Sequence, residues 1–174
     1  MLRSIALATA CLFVVACGIA QFPLGYDIAE QQVPGSPLGS VLGADLVQVP
    51  LNIDLSSETA ARGTGPAQHV YLTDLTLSIT ATDEPVGDTD DFSFLSTIDI
   101  YVESTMSGTT LQRVRVAHLD SVPAGAQTIS LQTDGVDLIG YVREGAKLTA
   151  EATGHQPSDD TSYDGHIDLV VQVL

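Results

Sequence analysis

Positive charge is scarce in this chain. Six Lys and Arg stand against 22 Asp and Glu, a formal net charge of −16 at pH 7, and every carboxylate lies after residue 26. That balance repels nucleic acid and anionic lipid headgroups, so neither is expected as a partner. Cysteine is nearly missing too. Cys11 and Cys17 both fall close to the start, which leaves no disulfide to hold a fold after them. The most apolar stretch, Ile5 to Ala16, is shorter than the roughly 20 residues that a membrane-spanning helix needs. Histidine is scarce, with only His69, His118, His155 and His166, and none adjoins a Gly-x-Ser-x-Gly elbow, so serine catalysis has little to work with. Carboxylate pairs of the kind that hydrolyse sugars arise by accident among 22 acids and carry no weight. The chain is not expected to be an enzyme, and no cofactor is expected.

What is present at the front is a basic residue, Arg3, followed by that short apolar run and then by small residues, the general layout of a secretory leader. Within it, Val14-Val15-Ala16-Cys17-Gly18 resembles the lipobox of bacterial lipoprotein precursors, in which an aliphatic and then a small residue precede a cysteine that is lipidated before cleavage. Val14 stands where the family favours Leu. The resemblance covers the first 18 residues and implies a leader over 1–16, Cys17 as the mature first residue, and a diacylglyceryl thioether with an acylated amine on it. One acyl chain holds a protein only marginally, whereas two or more hold it stably. Gly18, rather than Asp, after the cysteine is what the resemblance associates with sorting to the outer membrane. The membrane, reached through the lipid, is thus the expected partner, with a protein or glycan of the envelope as a further candidate.

Residues 17–21 read as the lipidated cysteine and a short tether, reaching roughly 15 Å at about 3.5 Å per residue, and residues 22–174 as one β domain. Alternation begins at Phe22, Leu24, Tyr26 and Ile28, a period of two that marks a strand. Pro34, Gly35, Pro37, Gly39 and Gly43 make 31–44 a loop. Val47 to Leu55 alternates again, and Pro50, which lacks an amide donor, points to an edge strand or bulge. Residues 56–65 read as continued extension, closed by a turn at Gly63-Thr64-Gly65-Pro66 whose glycines lack the Lys and helix of a phosphate cradle.

Tyr71, Thr73, Leu75, Leu77, Ile79 and Ala81 share one parity against Asp74, Thr76, Ser78 and Thr80, the cleanest strand pattern in the chain. Further strands are expected over 98–103, 111–119, 129–131, 148–152 and 167–173. The period changes at 137–144, where Leu138, Ile139, Tyr141 and Val142 fit a short helix, capped by Asp134 or Asp137 and stopped by Gly145. About eight short strands with Gly and Pro between them predict an all-β, antiparallel two-sheet sandwich. Strand number and spacing resemble the immunoglobulin-like superfold, although the chain has no Trp and lacks that family's Cys…Trp…Cys signature. A closed barrel is the alternative.

Three groups of polar residues invite a chemical reading. Arg113 and Arg115 share a face, and a hairpin would set them against Asp99 and Glu103 as a cross-strand charge ladder; a phosphate-binding pair is the sharper alternative. The acidic loop 83–91, with Asp88, Asp90 and Asp91, offers oxygen ligands of the type calcium takes, without the Gly and Glu of a helical calcium loop. His155, Asp159, Asp160, Asp164 and His166 could present nitrogen and oxygen to zinc, while Gln156-Pro157-Ser158 and Ser162-Tyr163-Asp164-Gly165 read as turns. His118 has inward parity, that of a core imidazole. No metal or catalytic site is assigned from these residues, and Cys17 is the one functional residue the sequence singles out. The expected function is that of a lipid-anchored envelope protein with a non-catalytic interaction or structural module; calcium or carbohydrate binding through the acidic loops is the alternative, and a hydrolase comes third.

Overall fold

The computed structural model describes residues 20–35, 47–51, 61, 65–81 and 90–173. Nine strands run along them: β1 (Ala20–Val33), β2 (Val47–Leu51), β3 (Ala67–Thr80), β4 (Leu95–Ser104), β5 (Val114–Leu119), β6 (Thr128–Ser130), β7 (Gln132–Thr133), β8 (Ala146–Gly154) and β9 (Thr161–Val173). One short helix, α1 (Ile139–Glu144), precedes β8, and a 3-10 turn at Phe92–Phe94 leads into β4. The strands form two antiparallel sheets, ordered β1-β9-β3-β6 and β2-β8-β4-β5-β7. Inward residues of both meet in a single core, in which Val70, Val102, Leu169 and Val171 are fully buried. The chain is an all-β two-sheet sandwich.

The strand order differs from the immunoglobulin-like arrangement that strand number and spacing suggest. That arrangement places A, B, E and D in one sheet and C, F and G in the other, and it relies on hairpins between consecutive strands. Here β1 pairs with β9, β2 with β8, β3 with β6 and β4 with β5, so the pairs nest inside one another. Among the described residues only β4 and β5 are hydrogen-bonded neighbours that are also consecutive. A long antiparallel ribbon folded in this way and rolled up gives the double Greek key of a jelly roll.

Several strands run longer than alternation alone suggests, because bulges change the parity within them. β1 starts at Ala20, inside the expected tether, and continues to Val33 through a register shift between Ile28 and Gln31. In β3 a shift between Leu72 and Asp74 puts Val70 and Leu72 inward together with Leu75 and Leu77, and turns Tyr71 and Thr73 away from the core. β9 begins at Thr161, so Ser162-Tyr163-Asp164-Gly165 is strand rather than turn. Gly165 is required there by proximity: a Cβ would stand 2.8 Å from both Leu77 Cδ2 and Thr76 O. Conversely, the expected strand over 111–119 shortens to Val114–Leu119.

Among the described residues β2 pairs only with β8 and is an edge strand, as Pro50 implies. Helix α1 lies within the predicted 137–144. Its first amide, Ile139 N, donates to Asp137 Oδ1 at 3.1 Å, and it stops at Gly145, whose φ of 86° suits glycine. Glu144 accepts from Ser104 Oγ at 2.7 Å and from Thr109 Oγ1 at 2.5 Å, and Tyr141 Oη donates to Gln112 O at 2.6 Å; the helix thereby fixes the connection between β4 and β5. These two hydroxyls hold the Glu144 carboxyl below its ordinary range.

Candidate functional site

The outer face of the five-stranded sheet bears three of the four described cations, Arg113, Arg115 and Lys147, each with at least one carboxylate partner. Arg113 Nε and Nη1 reach Glu103 at 2.9 Å and Glu151 at 2.7 Å, and its guanidinium lies 3.7 Å from the centre of the Tyr101 ring. Arg115 bridges Asp99 at 3.0 Å and Asp134 at 2.9 Å, and Lys147 meets Glu103 at 3.3 Å. Burial works against ionisation of Glu103, but Lys147, Thr149 and Arg113 outweigh it and hold the carboxyl below its usual range. The Asp134 and Asp99 carboxylates raise the affinity of Arg115 for its proton. The predicted charge ladder is formed, so these arginines are engaged by the protein's own acids. The fourth described cation, Arg143, donates to Ala67 O at 2.9 Å.

His118 stands on this ladder, not in the core. The register shift between Ile100 and Tyr101 turns both Val116 and Ala117 inward and returns His118 to the outer face beside Asp99. Its Nδ1 lies 3.0 Å from Asp134 Oδ1, at an angle that does not make a hydrogen bond.

At one end of the sandwich, the 3-10 turn and the β8–β9 connection enclose a polar cleft of about 190 Å³ lined by Asp90, Asp91, Ser93, His155, Ser158 and Asp159. It brings together parts of the two acidic loops that the sequence keeps about 65 residues apart, a separation that only tertiary folding closes. Its carboxylates have structural tasks: Asp91 Oδ1 accepts from Ser93 N at 2.7 Å and caps the turn, and Asp90 Oδ1 accepts from Thr161 Oγ1 at 3.4 Å. Ser158 Oγ donates to Asp159 Oδ1 at 3.3 Å. Asp160 lines no part of the cleft and instead accepts from Gly35 N at 2.8 Å. Residues 82–89, with Asp88 of the calcium expectation, lie outside the described residues. Among the described residues no three or more His, Cys, Asp and Glu are placed to hold a metal ion, and the zinc set is divided, with Asp164 and His166 on β9 and His155 and Asp159 in the cleft. Chemically the cleft combines carboxylate acceptors with the hydroxyls of Ser93 and Ser158 and the imidazole of His155, which both donate and accept.

The outer face of the four-stranded sheet holds an arrangement that the sequence does not announce. His166 on β9 sits between two carboxylates: its Nδ1 is 2.6 Å from Asp27 Oδ1 on β1 and its Nε2 is 3.4 Å from Asp168 Oδ1. Hydrogen bonding to Asp27 raises the His166 pKa above its ordinary value, and Asp168 adds to the effect. A second pair, His69 Nδ1 and Asp137 Oδ2 at 2.7 Å, joins β3 to the segment before α1. Burial opposes ionisation of Asp137, but His69 and the Ile139 and Val70 amides prevail and lower its pKa. Residues 27 and 166 are 139 positions apart, so only the β1–β9 register brings them together.

Between the sheets lies an apolar cavity of about 40 Å³, lined in part by Leu77, Phe92, Ile100, Leu148 and Tyr163. That is far below the roughly 300 Å³ or more of small-molecule pockets. Among the described residues no helix is long and apolar enough to cross a membrane. Cys17 lies outside the described residues; β1 opens three positions after it.

No protein-family model matches the chain, and no curated protein matches it. Among solved structures, it is similar to the BFDV capsid protein in a decameric crystal structure, with a TM-score of 0.47 and 12% identity over 90% of this chain and 99% of that one. The 60-mer of the same capsid protein gives a TM-score of 0.38 at 11% identity, over 90% of this chain and 93% of that one. The tomato aspermy virus structure gives 0.28 at 12% identity, over 94% and 81% respectively. At such scores the strand order itself carries the assignment of the fold.

Proposed function

We propose that this chain is a lipid-anchored protein of the bacterial envelope, most simply of the outer membrane, whose β-sandwich is a non-catalytic interaction or structural module. The observation that carries the proposal is Val14-Val15-Ala16-Cys17-Gly18 at the end of a short apolar run behind Arg3. Diacylglyceryl and amide-linked chains on Cys17 would together hold the protein firmly to a bilayer. The opening of β1 at Ala20 supports a domain seated close to that surface, because it leaves room for only a brief tether.

The non-catalytic part of the reading is supported by what the polar residues do. His69, His118 and His166 each stand against an aspartate in a contact that ties structural elements together, and Arg113, Arg115 and Lys147 are engaged across strands. With Arg113, Arg115 and Lys147 so occupied, the outer face of the five-stranded sheet has little to offer a phosphate or nucleic acid.

The test is to express the precursor with radiolabelled palmitate, alongside Cys17→Ser, and to fractionate the membranes. The label and most of the protein should appear in the membrane fraction for the parent, and both should be lost from it on substitution. Equal labelling and equal membrane retention of Cys17→Ser would remove the anchor from the account.

A further inference from the structure

None of the four strands in the β1-β9-β3-β6 sheet contains Lys or Arg, while Asp27, Glu30, Asp74, Asp164 and Asp168 all lie on them. His166 and His69 are therefore the only side chains on these strands able to carry positive charge at neutral pH, and His69 is engaged with Asp137 on the α1 side of β3. His166 occupies the seam between β9 and β1, one of the sheet's two edge strands among the described residues. A glycine makes the space for it: at Gly25 an added Cβ would meet His166 Cε1 and Nε2 at 3.2 Å and Asp168 Oδ1 at 3.4 Å. Asp27 is directly opposite His166 in the register, and Thr76 of β3 is opposite on the other side. Asp164 and Asp168 flank His166 at two residues' distance along β9, on the same face of the strand, and Asp74 of β3 is paired with Asp168.

We propose that His166 is a proton-dependent staple that fastens edge strand β1 to β9. With the imidazole protonated, one cation bridges Asp27 of β1 and Asp168 of β9. With it neutral, the bridge loses its charge and the two carboxylates confront each other across the seam, with Asp74 and Asp164 close by. The sign follows from the raised folded pKa: the stapling is complete below the unfolded value of about 6.5 while the carboxylates stay ionised, and it is lost as pH rises through the higher folded value. Among the described residues β1 is hydrogen-bonded on one side only, so this loss falls on a strand that has no second neighbour to hold it. If Cys17 is the anchor, this is also the strand nearest the tether, but the staple itself does not depend on lipidation.

Hydrogen–deuterium exchange of the full chain at about pH 6 and about pH 8, corrected for intrinsic exchange rates, tests it through the protection of 20–33 relative to 67–80. The ratio should fall several-fold at the higher pH in the parent chain. It should be low and independent of pH in His166→Gln and in Asp27→Asn, and Gly25→Ala, which crowds the imidazole, should reduce it at the lower pH. His69→Gln should leave the fall intact. A ratio that does not change with pH in the parent, or that falls equally in His166→Gln, would overturn the proposal and leave the anchor at Cys17 untouched.

Discussion

Gly165 shows how one residue can be read correctly as special and wrongly as to why. Asp164-Gly165 has the look of a turn, yet it lies within β9, where the glycine lets the strand pass close to β3 and β1. A side chain there would press on Thr76 O and Leu77 Cδ2 at 2.8 Å and on Ile28 Cδ1 at 3.1 Å, and the backbone oxygen cannot swing aside. Gly165→Ala should therefore lower unfolding free energy by about 1–3 kcal/mol, the usual penalty of overpacking, as a lower denaturant midpoint with an unchanged m-value. Two residues earlier, Tyr163 is buried against Phe92, ring centres 6.1 Å apart, and burial pushes its phenol up to about 12. The folded protein favours the protonated phenol, so its contribution to stability is whole below pH 10 and disappears as pH rises through 12. Alkaline titration should show a late phenol ionisation near pH 12, or one that accompanies unfolding; in Tyr163→Phe that late step should be missing. Neither the glycine's neighbours nor the tyrosine's burial could be read from a stretch whose composition also suits a turn.

At the scale of elements, alternation located the strands because side chains change faces every residue. It failed where a bulge inserts one residue and inverts the faces beyond it. Val116 and Ala117 are both inward for this reason, which carries His118 out to Asp134, and the shift in β3 likewise moves Tyr71 off the core face. Helix α1 was legible from its change of period and from Gly145. The ladder was legible as well, because Arg113 and Arg115 had suitable acids in the neighbouring strand, although Glu151 and Asp134 come from elements whose pairing no local pattern reveals. Exposed ion pairs contribute little singly, about 0–1 kcal/mol, but Arg113 also covers Tyr101. Arg113→Gln should cost about 1 kcal/mol at low ionic strength and less at 1 M salt, where the Debye length is about 3 Å; urea titrations at both salt concentrations would show whether the difference shrinks.

At the scale of the molecule, the two-sheet antiparallel sandwich follows from composition and period, whereas its strand order does not. Consecutive strands are commonly neighbours, and that habit favours an arrangement of hairpins; here β1 waits for β9 and β2 for β8, contacts that local sequence cannot encode. The same long-range pairing hides the His166 seam and the polar cleft. The resemblance of Val14-Val15-Ala16-Cys17-Gly18 to a lipobox, on which the proposed function rests, is by contrast wholly local, because such a motif is read along the chain and not across a fold. It gives the central claim its most direct test: intact and peptide mass spectrometry of the mature protein purified from membranes. A first peptide beginning at Cys17 and carrying the mass of a diacylglyceryl group with an added acyl chain is the predicted result. A mature polypeptide that begins downstream of Cys17 and bears no lipid would contradict it.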